Sequence, residues 1–249
     1  MTLFSSPAAP PAVVVPVSGD DLEALLLHAR EVAVAGADIA EWRLDSWGAH
    51  DGAGGLVILD RLRAALAGIP VLATFRSIAE SGPGDLSDSG YIELLTALLE
   101  RGVEAVDVEL SRPDRVAVAV REAAGAAGAV VVGSSHNFDR TPGAAELDTI
   151  FDALAERGAD VLKVAVQAHD DGDVYRLLDA ARRARRHGVA VLPIAMGSPG
   201  VLTRIAGEAW GAPATFGRVG SGSAPGQVDV PSLRGALAAI HQALHGTSS

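Results

Sequence analysis

The sequence predicts a single-domain α/β protein, a (β/α)8 TIM barrel, from three features: recurring aliphatic runs, amphipathic stretches between them, and glycines closing those stretches. The runs lie at 13–17, 39–44, 71–75, 105–110, 130–133, 161–166, 189–194 and 214–216. Their starts are 25 to 34 residues apart, the length of one strand, one helix and two loops. After the first run, Leu22, Leu25, Leu26, Ala29, Val32 and Ala33 repeat at the spacing of one buried helix face. Ser18, three residues before Asp21, is expected to start that helix, and Gly36 to stop it. Ser111, three before Asp114, starts the helix after the fourth run, and Thr141-Pro142 opens the one after the fifth as N-cap and N1 proline. Gly102, Gly158 and Gly188 stop later helices shortly before the next strand. An open doubly wound sheet would carry a glycine-rich phosphate loop after its first strand. Here that turn holds Asp20 and Asp21, so the barrel is preferred.

Composition narrows the class. The chain has 249 residues, 49% of them hydrophobic but only 4% aromatic, so the core is built from Ala, Val, Leu and Ile. A net charge of -11 argues against a nucleic-acid partner. The one basic cluster, Arg182, Arg183, Arg185 and Arg186, reads as a solvated helix face. Without cysteine there is no disulfide framework and no thiolate metal site. Residues 1–12 read as a flexible Pro/Ala-rich tail without the marks of a signal peptide, and 13–249 as the catalytic barrel. No apolar segment reaches the roughly 18 residues that span a bilayer, so a cytoplasmic protein is expected.

Ionisable residues within the runs are informative, because burying a charge in a central strand is costly unless it is paired or lines the open end. Glu41, Arg43 and Asp45 alternate along the second run, Arg76 closes the third, Asp107 and Glu109 share one face of the fourth, and His136 ends the fifth. They gather at strand C-termini, where barrels place their chemistry. Glu41, Arg43, Asp45, Asp107 and Glu109 have an alternative reading as a buried ion-pair network that fills the barrel. Lys163 lies among aliphatic residues of the sixth run. Desolvation, helped by nearby Arg43 or Arg76, would favour its neutral amine, a nucleophile toward ketones. The Gly/Ser-rich stretch 217–227 reads as a lid. The seven histidines show no HxH or HExxH spacing, so no metal site is expected.

Together these segments resemble type I 3-dehydroquinate dehydratase over nearly the whole chain. The matching residues are Glu41-Trp42-Arg43-Leu44-Asp45; Thr74-Phe75-Arg76-Ser77 with Glu80; Ser135-His136-Asn137-Phe138 followed by Thr141-Pro142; Lys163; Ala195-Met196-Gly197 with Arg204; and Phe216 leading into Ser223-Ala224-Pro225-Gly226-Gln227. The resemblance implies a cofactor-free hydro-lyase of the shikimate pathway, converting 3-dehydroquinate to 3-dehydroshikimate through a lysine Schiff base. In that scheme Lys163 forms the imine, and His136, oriented by Glu80, moves the proton and assists loss of water. Arg204 pairs with the substrate carboxylate, and Ser223 and Gln227 close over the same end. Glu41, Arg43 and Arg76 bind ring hydroxyls, while Met196 and Phe216 form an apolar wall. A homodimer is implied on the same ground. Three positions depart from the family pattern: Asn137 where Asp is common, Pro16 where some members have Ser, and Ile194 where Met is common. The alternatives are a class I aldolase-like Schiff-base enzyme, which would need a phosphate site, and a catalytically dead barrel serving as a ligand sensor.

Overall fold

The computed structural model describes residues 3–4, 9–46, 52–220, 224 and 226–246, the side chains of 52–55 excepted. Each apolar run becomes a strand: β1 (Ala12–Val17), β2 (Ile39–Arg43), β3 (Val71–Thr74), β4 (Ala105–Glu109), β5 (Val130–Asn137), β6 (Val161–Gln167), β7 (Ala190–Met196) and β8 (Ala214–Arg218). The largest boundary difference is in β5, which continues through Ser134, Ser135 and His136. Hydropathy ends that strand early because its upper residues are polar, yet their backbones pair with β6 as far as Asn137 and Val166. A two-residue β9 (Val228–Asp229), paired with β8, was not foreseen.

All ladders are parallel, in the order β7-β6-β5-β4-β3-β2-β1-β8-β9. Seven of the eight barrel junctions therefore carry hydrogen-bonded ladders, and among the described residues β7 and β8 lie side by side without one. Among the described residues eight α-helices cover the sheet: α1 (Leu22–Ala35), α2 (Gly52–Leu66), α3 (Asp88–Glu100), α4 (Asp114–Ala127), α5 (Ala144–Glu156), α6 (Asp171–Ala184), α7 (Val201–Ile205) and α8 (Val230–His245). Short α7 spans the unladdered seam. Thr203 accepts from the Ala195 amide of β7 at 3.1 Å, and Thr215 of β8 donates to the Arg204 carbonyl at 2.8 Å.

The helix stops fall where the glycines predict, with Gly36, Gly102, Gly158 and Gly188 all in the left-handed region. The starts differ. Asp21, not Ser18, caps α1 by accepting from the Ala24 amide at 2.8 Å, because it sits directly before the first helical residue. Helix α4 begins after Pro113, with no side-chain cap. Helix α5 begins after Gly143, which leaves the Thr141 hydroxyl free to bind the Gln167 carbonyl at 2.7 Å across the adjacent loop.

Strand parity sorts the core into layers. Val13, Val15, Trp42, Ala73, Phe75, Val106 and Val108 point outward and pack with Leu25, Leu62, Tyr91, Leu95 and Val120 of the helices. Leu162, Val164 and Val166 do the same against Leu147, Phe151, Leu177 and Leu178. An inner cluster holds Val14, Ile39, Leu72, Ala105, Val132 and Val161. Phe4 is buried in that inner cluster with Leu3 beside it, so these two residues of the expected tail pack on the barrel. Of the basic cluster, Arg182 and Arg183 pair with Asp179, Arg183 also pairs with Asp148, and Arg186 with Asp152. Among the described residues no helix is long and apolar enough to cross a membrane.

Candidate active site

One step further along each inward face, the aliphatic layer gives way to Glu41, Thr74, Asp107, Ser134 and Lys163, and then to Arg43, Arg76, Glu109, His136 and Ala165. The parallel register brings these side chains to the strand C-terminal end. There Glu41, Arg43, Arg76, His136, Lys163, Met196, Arg204, Phe216 and Gln227 line one cavity. Nine of the eleven anticipated site residues thus meet in a single space. Glu80 stands directly behind His136, and Ser223 lies outside the described residues.

The Lys163 side chain is 4% exposed, its Nζ 3.3 Å from both Glu41 Oε1 and Asp107 Oδ2 and 4.6 Å above the Phe216 ring. Its closest charged partners are therefore carboxylates. The expected help from a nearby Arg43 or Arg76 is not what the contacts give, since both arginines are engaged by carboxylates of their own. Arg76 instead reaches the far oxygen of Asp107 at 3.2 Å, and Arg43 is held by Asp45 through a two-pronged contact at 3.0 and 2.7 Å. Burial pushes the Asp107 carboxyl up, but Arg76, Lys163 and the Ser134 hydroxyl outweigh it and hold the group below its ordinary range.

Arg76 is the hub of the floor. Its Nη1 donates to Glu109 at 2.8 Å and to Glu80 and Ser134 at 3.3 Å, and its backbone amide donates to Asp45. Burial alone would weaken so enclosed a guanidinium, and the carboxylates of Asp107, Glu109, Glu80 and Glu41 more than compensate. The loop after β3 is folded tightly over it. A Cβ on Gly84 would lie 2.4 Å from the Phe75 ring and 2.6 Å from the Arg76 carbonyl, so only glycine fits.

His136 Nδ1 lies 2.7 Å from Glu80 Oε2. Burial, and then the cations Arg76, Lys163 and Arg43, push the imidazole well below its ordinary pKa, so it is neutral at pH 7. The Glu80 carboxyl is raised to about 7, chiefly by burial with help from Glu109 and Asp107, against the opposing pull of Arg76. An ionised Glu80 accepts from Nδ1–H and leaves the lone pair on Nε2, the arrangement of an oriented base. Asn137 takes no part in this pair: its Oδ1 accepts from the Asp139 and Arg140 amides and shapes the following loop.

Arg204 is 2% exposed, and burial lowers its pKa to about 10, so it remains a cation at neutral pH. Ala224 and Gln227, from the Gly/Ser-rich stretch after β8, line the cavity. Gly226, at φ 79°, comes so close to Gly197 that a Cβ would lie 2.6 Å from its carbonyl oxygen.

Over residues 13–244 the chain matches the family model described as type I 3-dehydroquinase. The chain belongs to the type I 3-dehydroquinase family. It is 36% identical over 235 residues to the 3-dehydroquinate dehydratase of Listeria monocytogenes serotype 4a, covering 93% of each chain. Among solved structures, it superposes on the type I 3-dehydroquinate dehydratase of Clostridium difficile, determined with covalently modified comenic acid, with a TM-score of 0.89 at 32% identity over 94% of each chain. The enzyme of Geobacillus kaustophilus gives a TM-score of 0.88 at 33% identity, covering 96% of this chain and 93% of that one.

Within this candidate site, three contributors are given no role by the sequence. Ser81 and Phe138 line the cavity from loops, where no periodicity marks them. Ser134 donates to Asp107 at 2.6 Å, and its place directly above Val132 on the inward face is the signal that could have found it. For Asp107 the sequence leaves structural filler and function open, and its carboxylate contacts Lys163 at 3.3 Å.

Proposed function

We propose that this protein is a 3-dehydroquinate dehydratase of the shikimate pathway acting through an imine on Lys163. The observation that carries the reading is the confined arrangement of one buried lysine and one oriented, neutral histidine in the same cavity. Lys163 Nζ attacks the substrate ketone, and loss of water from the carbinolamine gives the iminium. That cation acidifies the adjacent carbon, because the electron pair released with the proton flows to nitrogen as an enamine. His136 Nε2 takes that proton. The enamine then expels the β-hydroxyl, to which His136 returns a proton as water leaves, and hydrolysis of the imine frees 3-dehydroshikimate and the amine.

The same reading gives the other anticipated residues supporting roles. Arg204 offers a planar fork to the substrate carboxylate, with Gln227 on the same cavity, and the family resemblance assigns Ser223 to the same end. Glu41 and the Arg43–Asp45 pair face the ring hydroxyls. Arg76 is so fully engaged by carboxylates that its first task is to fix Glu80 and Asp107, with a hydroxyl contact secondary. Met196 and Phe216 supply the apolar wall. A cytoplasmic homodimer without nucleic-acid partners belongs to the same reading: the family resemblance supports the dimer and the net charge of -11 disfavours nucleic acid. Sedimentation of the pure chain tests the dimer.

The direct assay incubates the protein with 3-dehydroquinate and reads the product by mass. Appearance of 3-dehydroshikimate, one water lighter, is expected. A folded protein that leaves 3-dehydroquinate unchanged would overturn the reading.

A further inference from the structure

The barrel end opposite the cavity holds a second convergence of chemically capable groups. Glu208 lies in the short 3-10 turn Gly207–Trp210, just before β8 begins, and His241 and His245 occupy the last turns of α8. His241 Nδ1 is 2.6 Å and His245 Nε2 3.1 Å from the same Glu208 oxygen, Oε1. The other oxygen, Oε2, is buried and has no hydrogen-bond partner among the described residues. A buried carboxylate oxygen left bare costs free energy unless something binds it.

We propose that Glu208, His241 and His245 form a binding site for a divalent transition metal of the Zn2+ class. Histidines four residues apart on a helix present their rings on one face, the spacing by which helices hold metals. Here the two ring centroids are 4.7 Å apart, and the three donor atoms all lie within 4.8 Å of one another. Tetrahedral zinc with bonds of 2.0–2.1 Å needs donors separated by about 3.3 Å. From the observed 2.6 and 3.1 Å the carboxylate oxygen must move away from the two rings by about 0.7 and 0.2 Å, and the ring nitrogens, within 4.8 Å of each other, must settle to the same separation, changes that rotation of the carboxylate and of the half-exposed His245 ring supply. Two imidazoles and one carboxylate suit Zn2+, Ni2+, Co2+ or Cu2+ far better than Ca2+ or Mg2+. His245 is half exposed, which leaves an entry path and a solvent-facing fourth position.

The location gives the site a task. Glu208 belongs to the segment that follows α7 across the unladdered β7–β8 seam, and α8 packs against that segment. A bound ion would staple the last helix to the connection that carries Arg204. His241-Gln242-Ala243-Leu244-His245 has neither HxH nor HExxH spacing and Glu208 is 33 residues away from His241, so this proposal departs from the expectation of no metal site.

The test uses the full, untagged chain, stripped with a chelator and titrated with Zn2+ alone by calorimetry. Co2+ absorption in the visible range serves as an independent reading of the ligand field. One saturable site per chain is expected in the wild type, weakened at least roughly tenfold in both His245→Ala and His241→Ala. Zn2+ should raise the Tm of the wild type and leave that of the variants unchanged. Turnover of 3-dehydroquinate should be the same in all three proteins, with or without chelator, so this proposal and the catalytic reading fail separately. No saturable binding to the folded wild type would overturn it, and so would binding that both variants retain at full strength. His245→Ala alters a half-exposed position and keeps the comparison interpretable if His241→Ala fails to fold.

Discussion

Two layers on the inner face of this barrel differ by a single side-chain step and by almost everything else. Ile39, Leu72, Ala105, Val132 and Val161 form the lower layer, all buried and all apolar. Two residues on along the same five strands stand Glu41, Thr74, Asp107, Ser134 and Lys163, equally buried and all polar. The lower layer gains stability from removing hydrocarbon from water. The upper layer loses solvation and recovers it only through mutual pairing, so it contributes little to stability and holds charges fixed for chemistry. Position along a strand, not strand identity, decides which task a residue has.

Substitutions in the two layers should therefore separate activity from stability. The largest effect is expected for Lys163→Ala, with kcat lower by roughly 10⁴-fold or more per folded molecule and some substrate binding retained. Substantial residual dehydration would remove the lysine from the reaction. For His136→Ala a loss of about 10²–10⁴-fold in kcat is expected, with the imine still forming and accumulating; normal turnover would contradict a proton-transfer role. Leu72→Ala, one layer down, should cost about 2–5 kcal/mol in a denaturant titration and leave kcat nearly unchanged. A kcat loss larger than the stability loss would blur the division between layers.

Smaller effects probe the coupling within the upper layer. With Glu80 titrating at about 7, kcat should decline as pH falls through that value. The sign follows from the tautomer: a protonated Glu80 donates to Nδ1, which places the ring hydrogen on Nε2 and removes the base. Glu80→Gln should lower kcat and flatten this acid limb, and an unchanged pH profile would assign the limb to another group. Arg204→Ala should raise KM with a modest change in kcat, and an unchanged KM would contradict a carboxylate contact.

Much of this arrangement was legible in the sequence because a barrel strand is a simple ruler. Alternation put Glu41 and Arg43 on one side of their strand and Asp107 and Glu109 on one side of theirs, aliphatic flanks singled out Lys163, and the helix-stop glycines marked the ends of the repeats. The pairings themselves were not legible. Asp107 and Lys163 are 56 residues apart, and only the closed sheet shows that a carboxylate, not an arginine, lies against the amine. The loop residues Ser81 and Phe138 carry no periodic signal, and helix starts were misplaced where a nearer cap such as Asp21 competed with Ser18.

The central claim is that Lys163 is the covalent nucleophile, and borohydride reduction of the protein mixed with 3-dehydroquinate tests it most directly, read by intact mass and peptide mapping. A single ligand-sized adduct on the peptide containing Lys163, absent from Lys163→Ala, is the predicted result. An adduct on another lysine, or none on a folded protein under conditions that trap a known Schiff-base enzyme, would contradict it.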